Sequence, residues 1–118
     1  MAANGMSEII SCSFMDEKIA ESFREKTNKY LRVLNPIVKD FNYMRPSIIP
    51  NLLKIAKSNQ DRLFSIFEKG NIFEDLEEDK QKFMISGIRT GLTSQKSIFK
   101  DSREYDVYDV KKYLYEII

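Results

Sequence analysis

Ser47-Ile48-Ile49-Pro50-Asn51-Leu52-Leu53-Lys54-Ile55-Ala56-Lys57-Ser58-Asn59-Gln60-Asp61-Arg62-Leu63-Phe64-Ser65-Ile66-Phe67-Glu68-Lys69-Gly70 is the stretch on which the fold turns. Ile49, Leu52, Leu53, Ala56, Leu63, Phe64 and Phe67 fall on one helical stripe that carries across Ser58-Asn59-Gln60. Ser47 stands at a capping position, Pro50 falls within the first turn where proline is tolerated, and Gly70 sits where a left-handed carboxy-terminal cap is expected. The spacing therefore predicts a long helix with a kink or break near Ser58-Asn59. The same residues permit a second reading. Leu63-Phe64-Ser65-Ile66-Phe67 is short, apolar and aromatic, and a buried strand cannot be told from a buried helical turn over five residues.

The flanking sequence favours helices. Asp16 to Leu34 carries Ile19, Phe23, Tyr30, Val33 and Leu34 at steps of three and four, with Asp16 and Glu17 at the positive end and Pro36 as the stop. Before it, Ile9 to Phe14 reads either as an extension of that helix, started by Ser7, or as a short strand. Ile37 to Tyr43 is a short element of either type, followed by a turn at Arg45-Pro46. Asn71 opens a predicted third helix with Glu74, Asp75, Glu77, Glu78 and Asp79 near its amino end and Ile72, Phe73, Leu76, Phe83, Met84, Gly87 and Ile88 along its stripe. Residues 90–104 lose the period and read as a polar loop, and Asp106 caps a last helix with Val107, Val110, Tyr113, Leu114 and Ile117 on one face. The expected fold is all-α, a compact bundle of four to six helices over residues 7–118. Residues 1–6 are read as disordered or as a cloning remnant, with Met6 as a natural start. The alternative is a small α/β domain, TIR-like or flavodoxin-like, with parallel strands at 9–14, 63–67 and 83–88. Only four valines and four glycines count mildly against it.

With 118 residues, the chain is the size of one domain and one core. It holds no histidine, which removes Ser-His and Cys-His pairs and the common zinc, copper and non-haem iron sites. Cys12 is alone and cannot form an internal disulfide. Its acidic neighbours Glu8, Asp16 and Glu17 disfavour a thiolate, so it reads as a buried structural thiol in a reducing, cytoplasmic setting. There is no P-loop, dinucleotide glycine fingerprint, EF-hand loop or cysteine framework, and neither a cofactor nor a metal is expected. No apolar run reaches membrane-spanning length. The net charge of +1 conceals −3 over residues 1–17, +6 over 18–69 and −2 over 70–118. The ten cations Lys18, Arg24, Lys26, Lys29, Arg32, Lys39, Arg45, Lys54, Lys57 and Arg62 are scattered by helical spacing and read as solvated, so nucleic acid is not expected as a partner.

Ile10-Ser11-Cys12-Ser13-Phe14-Met15-Asp16-Glu17-Lys18-Ile19-Ala20 resembles the first strand and helix opening of TIR-like domains, and residues 58–67 are similar to that family's third strand. The resemblance implies a parallel sheet and NAD cleavage or signalling, with Glu74, Glu77 or Glu78 as the glutamate. The Ser or Trp signature of that family is missing from residues 71–78.

The leading expectation is a non-enzymatic helical adaptor, inhibitor or regulatory subunit that binds another protein or itself. Its contact residues are taken as Tyr105, Tyr108, Tyr115 and Ile118, because a helix cannot bury Tyr105, Tyr108, Tyr113 and Tyr115 on one face. An anion-binding loop is drawn on Arg89, Lys96, Lys100 and Arg103. Eight Phe and five Met residues prompt a third reading, a helical sensor holding an apolar ligand.

Overall fold

The computed structural model describes residues 1–2, 5–25, 31–59, 64–75, 81–93 and 103–117. They form β1 (Ser7–Glu8), β2 (Phe14–Met15), α1 (Glu17–Phe23), β3 (Tyr43–Met44), α2 (Ile49–Ser58), β4 (Ser65–Phe73), β5 (Gln81–Arg89) and α3 (Val107–Ile117). The expected all-α bundle is incorrect: the domain is mixed α/β, and its centre is a sheet of order β1-β4-β5.

Local signals explain the helices. Asp16 caps α1 by accepting the Lys18 amide at 2.9 Å. That helix stops at Arg24, well before Pro36, and residues 31–33 instead lie beside 42–44, with the Val33 amide on Asn42 at 2.7 Å and the Met44 amide on Leu31 at 2.8 Å. In α2, Pro50 stands in the first turn, the Ser47 hydroxyl accepts the Ile49 amide, and the Asn59 side chain closes the end on the Ile55 carbonyl. Ile48 and Leu52, one turn apart, aim at the sheet, so the helix ends at the predicted Ser58-Asn59 break instead of continuing to Gly70.

The expected continuation to Gly70 and the expected third helix are both replaced by strands. β4 and β5 pair antiparallel over nine residues each, from Ser65↔Arg89 through Ile72↔Lys82 to Phe73↔Gln81. The helical stripe misled because Phe64 and Phe67 satisfy a three-residue step while Phe64 and Ile66 satisfy a two-residue step. Pairing decided between them: β4 has a partner on each side, with Ser7↔Ile66 parallel on one and β5 antiparallel on the other. The α/β alternative also had the wrong geometry, since residues 65–67 and 83–88, expected in parallel strands, lie in antiparallel neighbours. Of residues 9–14 only Phe14 is in a strand, paired with Met44. Gly70 is no helix cap; it sits mid-strand, and positive φ occurs only at Gly5 and Gly91 among the described residues.

The core lies between α2 and one sheet face, where Ile48, Leu52, Ile66 and Ile72 are buried and Ile9, Ile55, Phe64 and Ile88 pack around them. A smaller cluster of Met15, Ala20 and Tyr43 holds α1 to the β2–β3 pair. Burying a Leu or Ile in this way contributes roughly 1.5–3 kcal/mol each. On the opposite face Met6 is buried and reaches Gly87. Cys12, expected to be buried, is exposed. Its segment runs between β1 and β2 over the sheet edge, and it is Ser11, one residue earlier, that turns inward. The last helix, α3, stands where Asp106 was expected to start it.

Candidate functional site

A charged pair sits inside the principal core. Glu68 and Arg45 are 1% and 4% exposed. Glu68 occupies the middle of β4 on the face that carries Ile66 and Ile72, and Arg45 follows β3. Their side chains meet at 2.5 Å between Nη1 and Oε1. Two further segments converge on the pair. Ser11 donates its hydroxyl to Glu68 Oε2 at 2.7 Å and its amide to Oε1 at 3.2 Å. Asn51, in the first turn of α2, donates to the Ser11 hydroxyl at 2.7 Å and to the Cys12 carbonyl at 3.0 Å. Arg45 also donates Nε to the Asn71 carbonyl at 2.9 Å. The Arg45 backbone joins the same seam: its amide donates to Ser13, and its carbonyl accepts from Phe73.

The arrangement holds the 9–13 segment, the end of β3, the start of α2 and β4 at one point. Charges buried this deeply are tolerated only when paired and hydrogen-bonded, and the Glu68 carboxylate accepts from both Arg45 and Ser11. Gly70 belongs to the same device. A Cβ there would run into Arg45 Nη2, so glycine leaves the path for the guanidinium.

Two of the four residues, Arg45 and Glu68, have a visible signature: each is a charge set in an apolar run, Tyr43-Met44-Arg45 and Ile66-Phe67-Glu68. Sequence reasoning placed Arg45 in a solvated basic face and gave Glu68, Ser11 and Asn51 no role. Pairing across 23 residues is invisible to local periodicity.

The second concentration of polar groups lies between β5 and α3. Arg89 stands 4.7 Å from the ring centroids of both Tyr105 and Tyr113 and donates Nε to Ser65 Oγ at 2.7 Å. Beside it a cavity of about 600 Å³ is lined by Met1, Met6, Ile85, Ile88, Val110 and Leu114 among others. Arg103 binds Asp109 through both terminal nitrogens, at 2.7 and 2.8 Å, and reaches Asp106 at 3.2 Å. That hydrogen-bonded pair, helped by the Asp106 amide, holds the Asp109 carboxyl down at about 2 and raises Arg103. Asp106 accepts the Tyr108 and Asp109 amides, which starts α3.

Among the residues drawn as an anion loop, Arg89 and Arg103 therefore face separate internal partners, and Lys96 and Lys100 lie outside the described residues. Of the four tyrosine-cluster residues, Tyr105 and Tyr113 are half-buried around Arg89, whereas Tyr108 and Tyr115 are exposed at 73% and 72%. Ile118, Lys26, Lys29, Tyr30, Arg62 and the acids Glu77, Glu78 and Asp79 also lie outside the described residues. Glu74 pairs with Lys82 at 2.7 Å and lifts that ammonium above its ordinary range. No group of three His, Cys, Asp or Glu residues that could hold a metal ion occurs among the described residues, and no described helix is long and apolar enough to cross a membrane.

An α/β domain centred on an internally satisfied ion pair is the class that these features define. The chain belongs to the family of phenylalanyl tRNA synthetase beta chain CLM domains, whose pattern it matches over residues 1–118. It is 40% identical over 114 residues to the phenylalanine–tRNA ligase beta subunit of Wolbachia sp. subsp. Brugia malayi, covering 94% of this chain and 14% of that protein. Beta subunits of the same ligase from Bartonella henselae and Rickettsia bellii are 38% and 37% identical, each over 94% of this chain and 15% and 13% of their own lengths. The chain thus spans about a seventh of the relatives it matches. Membership overturns the adaptor, TIR-like and sensor expectations, along with the all-helical regulatory description.

Proposed function

We propose that this chain serves as a non-catalytic structural domain within the beta subunit of a phenylalanine–tRNA ligase. Similarity to such subunits along nearly the whole chain is the observation that carries the reading. The geometry agrees with it. The deepest charged groups, Arg45 and Glu68, are turned to one another, to Ser11 and to backbone, an arrangement suited to fixing loops rather than to acid–base work. A protein named as a beta subunit works with another subunit, and this reading includes such a partner. Phe83 and Ile85 on β5, with Val107, Val110 and Leu114 on α3, are the exposed apolar side chains that it would cover. The exposed free thiol of Cys12 suits the reducing, cytoplasmic setting inferred from the sequence.

The test is a complete beta subunit carrying this sequence, assembled into its ligase. Glu68→Ala and Arg45→Ala are expected to lower the yield and melting temperature of the assembly while the enzyme that does assemble keeps its kcat. A stable assembly with kcat reduced a hundredfold would overturn the non-catalytic assignment.

A further inference from the structure

Helix α2 and the segment leading into β3 share an outer surface that neither the ion-pair centre nor the β5–α3 face uses. Residues 31–33 and 42–44 run side by side, and the Phe41 amide donates to the Val38 carbonyl at 3.0 Å, so residues 34–41 form a short projecting tip. Leu34 and Ile37 on it are 98% and 100% exposed, and Val38 and Phe41 are exposed beside them. Pro36 lies between the two aliphatic side chains and stiffens the bend. Lys54 Nζ of α2 stands 5.6 Å from the Phe41 ring centroid, which joins the tip to the solvent face of that helix. On that face Ile49 and Leu53, one turn apart, are nearly half exposed, and Lys57 follows one turn further on. Charge here is one-sided. Between residues 31 and 59 the exposed cations are Arg32, Lys39, Lys54 and Lys57, against Asp40 as the one acid, since Arg45 is buried on Glu68. Helix α1, packed beside β3, adds Glu17 and Glu21 against Lys18, and Glu17 accepts the Tyr43 hydroxyl at 2.8 Å, so a cationic excess persists.

From this we infer that the 34–41 tip and the outer face of α2 form a docking surface for an anionic lipid bilayer. The chemistry is that of an interfacial anchor, in which aliphatic side chains enter the acyl boundary while cations on the same surface stay at the headgroups. Lysine suits the second role, because its stem lies along apolar surface and its ammonium reaches out to the phosphates. A protein partner fits less well. Lysine is depleted at the centres of protein interfaces, and here three lysines stand among the exposed aliphatic side chains. The four cations also account for part of the +6 carried by residues 18–69, of which the buried centre takes up only Arg45. The surface is on the α2 side of the sheet, opposite α3, so the inference goes beyond the proposed structural role and does not rest on it.

The full 118-residue chain has no tryptophan, so Ile37→Trp supplies a reporter at the tip. Vesicles of phosphatidylcholine with about 30% phosphatidylglycerol should bind that variant and shift its emission to the blue, whereas phosphatidylcholine alone should do neither. By cosedimentation with the anionic vesicles, Leu34→Ser with Ile37→Ser should weaken binding about tenfold or more relative to the parent chain. Lys54→Gln with Lys57→Gln should weaken it about fivefold per charge, and by less at high salt. All four side chains are exposed, so the urea midpoint should not move, which serves as the folding control. No binding at about 1 mM lipid, equal binding to the neutral vesicles, or binding untouched by the serine pair would overturn the inference, the last because charge alone would then hold the chain. The serine pair, placed in a complete beta subunit, should leave the yield of the assembled ligase unchanged. Lost assembly would make the tip a protein contact and overturn the inference as well, while the structural role stands or falls on the Arg45 and Glu68 variants instead.

Discussion

The two faces of the β4–β5 hairpin are made of similar residues and have opposite fates. On one, Ile66, Ile72 and Ile88 meet Ile48 and Leu52 of α2, and Glu68 is buried against Arg45. On the other, Phe67 is covered, but Phe83 and Ile85 stay 69% and 43% exposed, beside a cavity that α3 only partly closes. Hydrophobicity alone does not decide burial. The first face has a ten-residue helix directly before β4 in the chain, placed to fold back onto it, and a polar seam that fixes its position. The second has α3, whose start is held by exposed charges and whose apolar side chains Val107, Val110 and Leu114 remain more than half open.

The sharpest way to break this contrast is to remove one member of the buried pair. Glu68→Ala leaves the Arg45 guanidinium without its carboxylate in the core and is expected to cost about 3–5 kcal/mol in urea unfolding at neutral pH. Leu52→Ala should cost about 2–5 kcal/mol, because the site is closed and cannot collapse fully, while Leu114→Ala on the open face should cost under about 1 kcal/mol. Equal losses at Leu52 and Leu114 would show that the two faces are equally well packed and that the contrast is mistaken.

A smaller effect is expected at Gly87. An added Cβ would lie 2.9 Å from Met6 Cε and 3.3 Å from the Ile66 carbonyl. Gly87→Ala should therefore destabilise by about 1–2 kcal/mol, and Met6→Ala should recover part of that loss. Full additivity of the two changes would remove Met6 from that face.

The smallest change concerns the start of α3. Arg103 depresses the Asp109 pKa from 3.8 to about 2, so the folded state favours the ionised carboxylate. The stabilisation is present above about pH 4 and is lost as pH falls through about 2. Helix content by circular dichroism should separate the parent chain from Asp109→Asn at pH 5 and bring the two together by pH 2. A gap that persists unchanged at pH 2 would point to something other than this ion pair.

What was legible in the sequence follows the same division. The acidic helix start at Asp16 and Glu17, the Pro50 position, the Ser58-Asn59 break and the Asp106 start depend on neighbours a few residues away, and all appear at those places in the structure. The strands β4 and β5 do not. Their residues satisfy helical and extended periods alike, and the five acids after Asn71 imitate a helix amino terminus. Only partners distant in sequence, Ser7 to Ile66 and Ile66 to Ile88, make them extended. The Arg45–Glu68 centre is still less legible, since it assembles Ser11, Arg45, Asn51 and Glu68 from four separate elements or linkers. The exposure of Tyr108 and Tyr115 was readable, because four tyrosines within eleven residues exceed what one helix face can bury.

The central claim is that the Arg45–Glu68 centre holds the domain together. A double-mutant cycle tests it most directly, comparing Arg45→Met, Glu68→Leu and the pair in the unfolding free energy of this chain. A coupling of at least about 2 kcal/mol is predicted, with the double variant costing less than either single one, because each single change strands a buried charge while the double change only deprives the Ser11 hydroxyl of its acceptor and the Asn71 carbonyl of the Arg45 donor. Additive losses, with no coupling between the two positions, would contradict it.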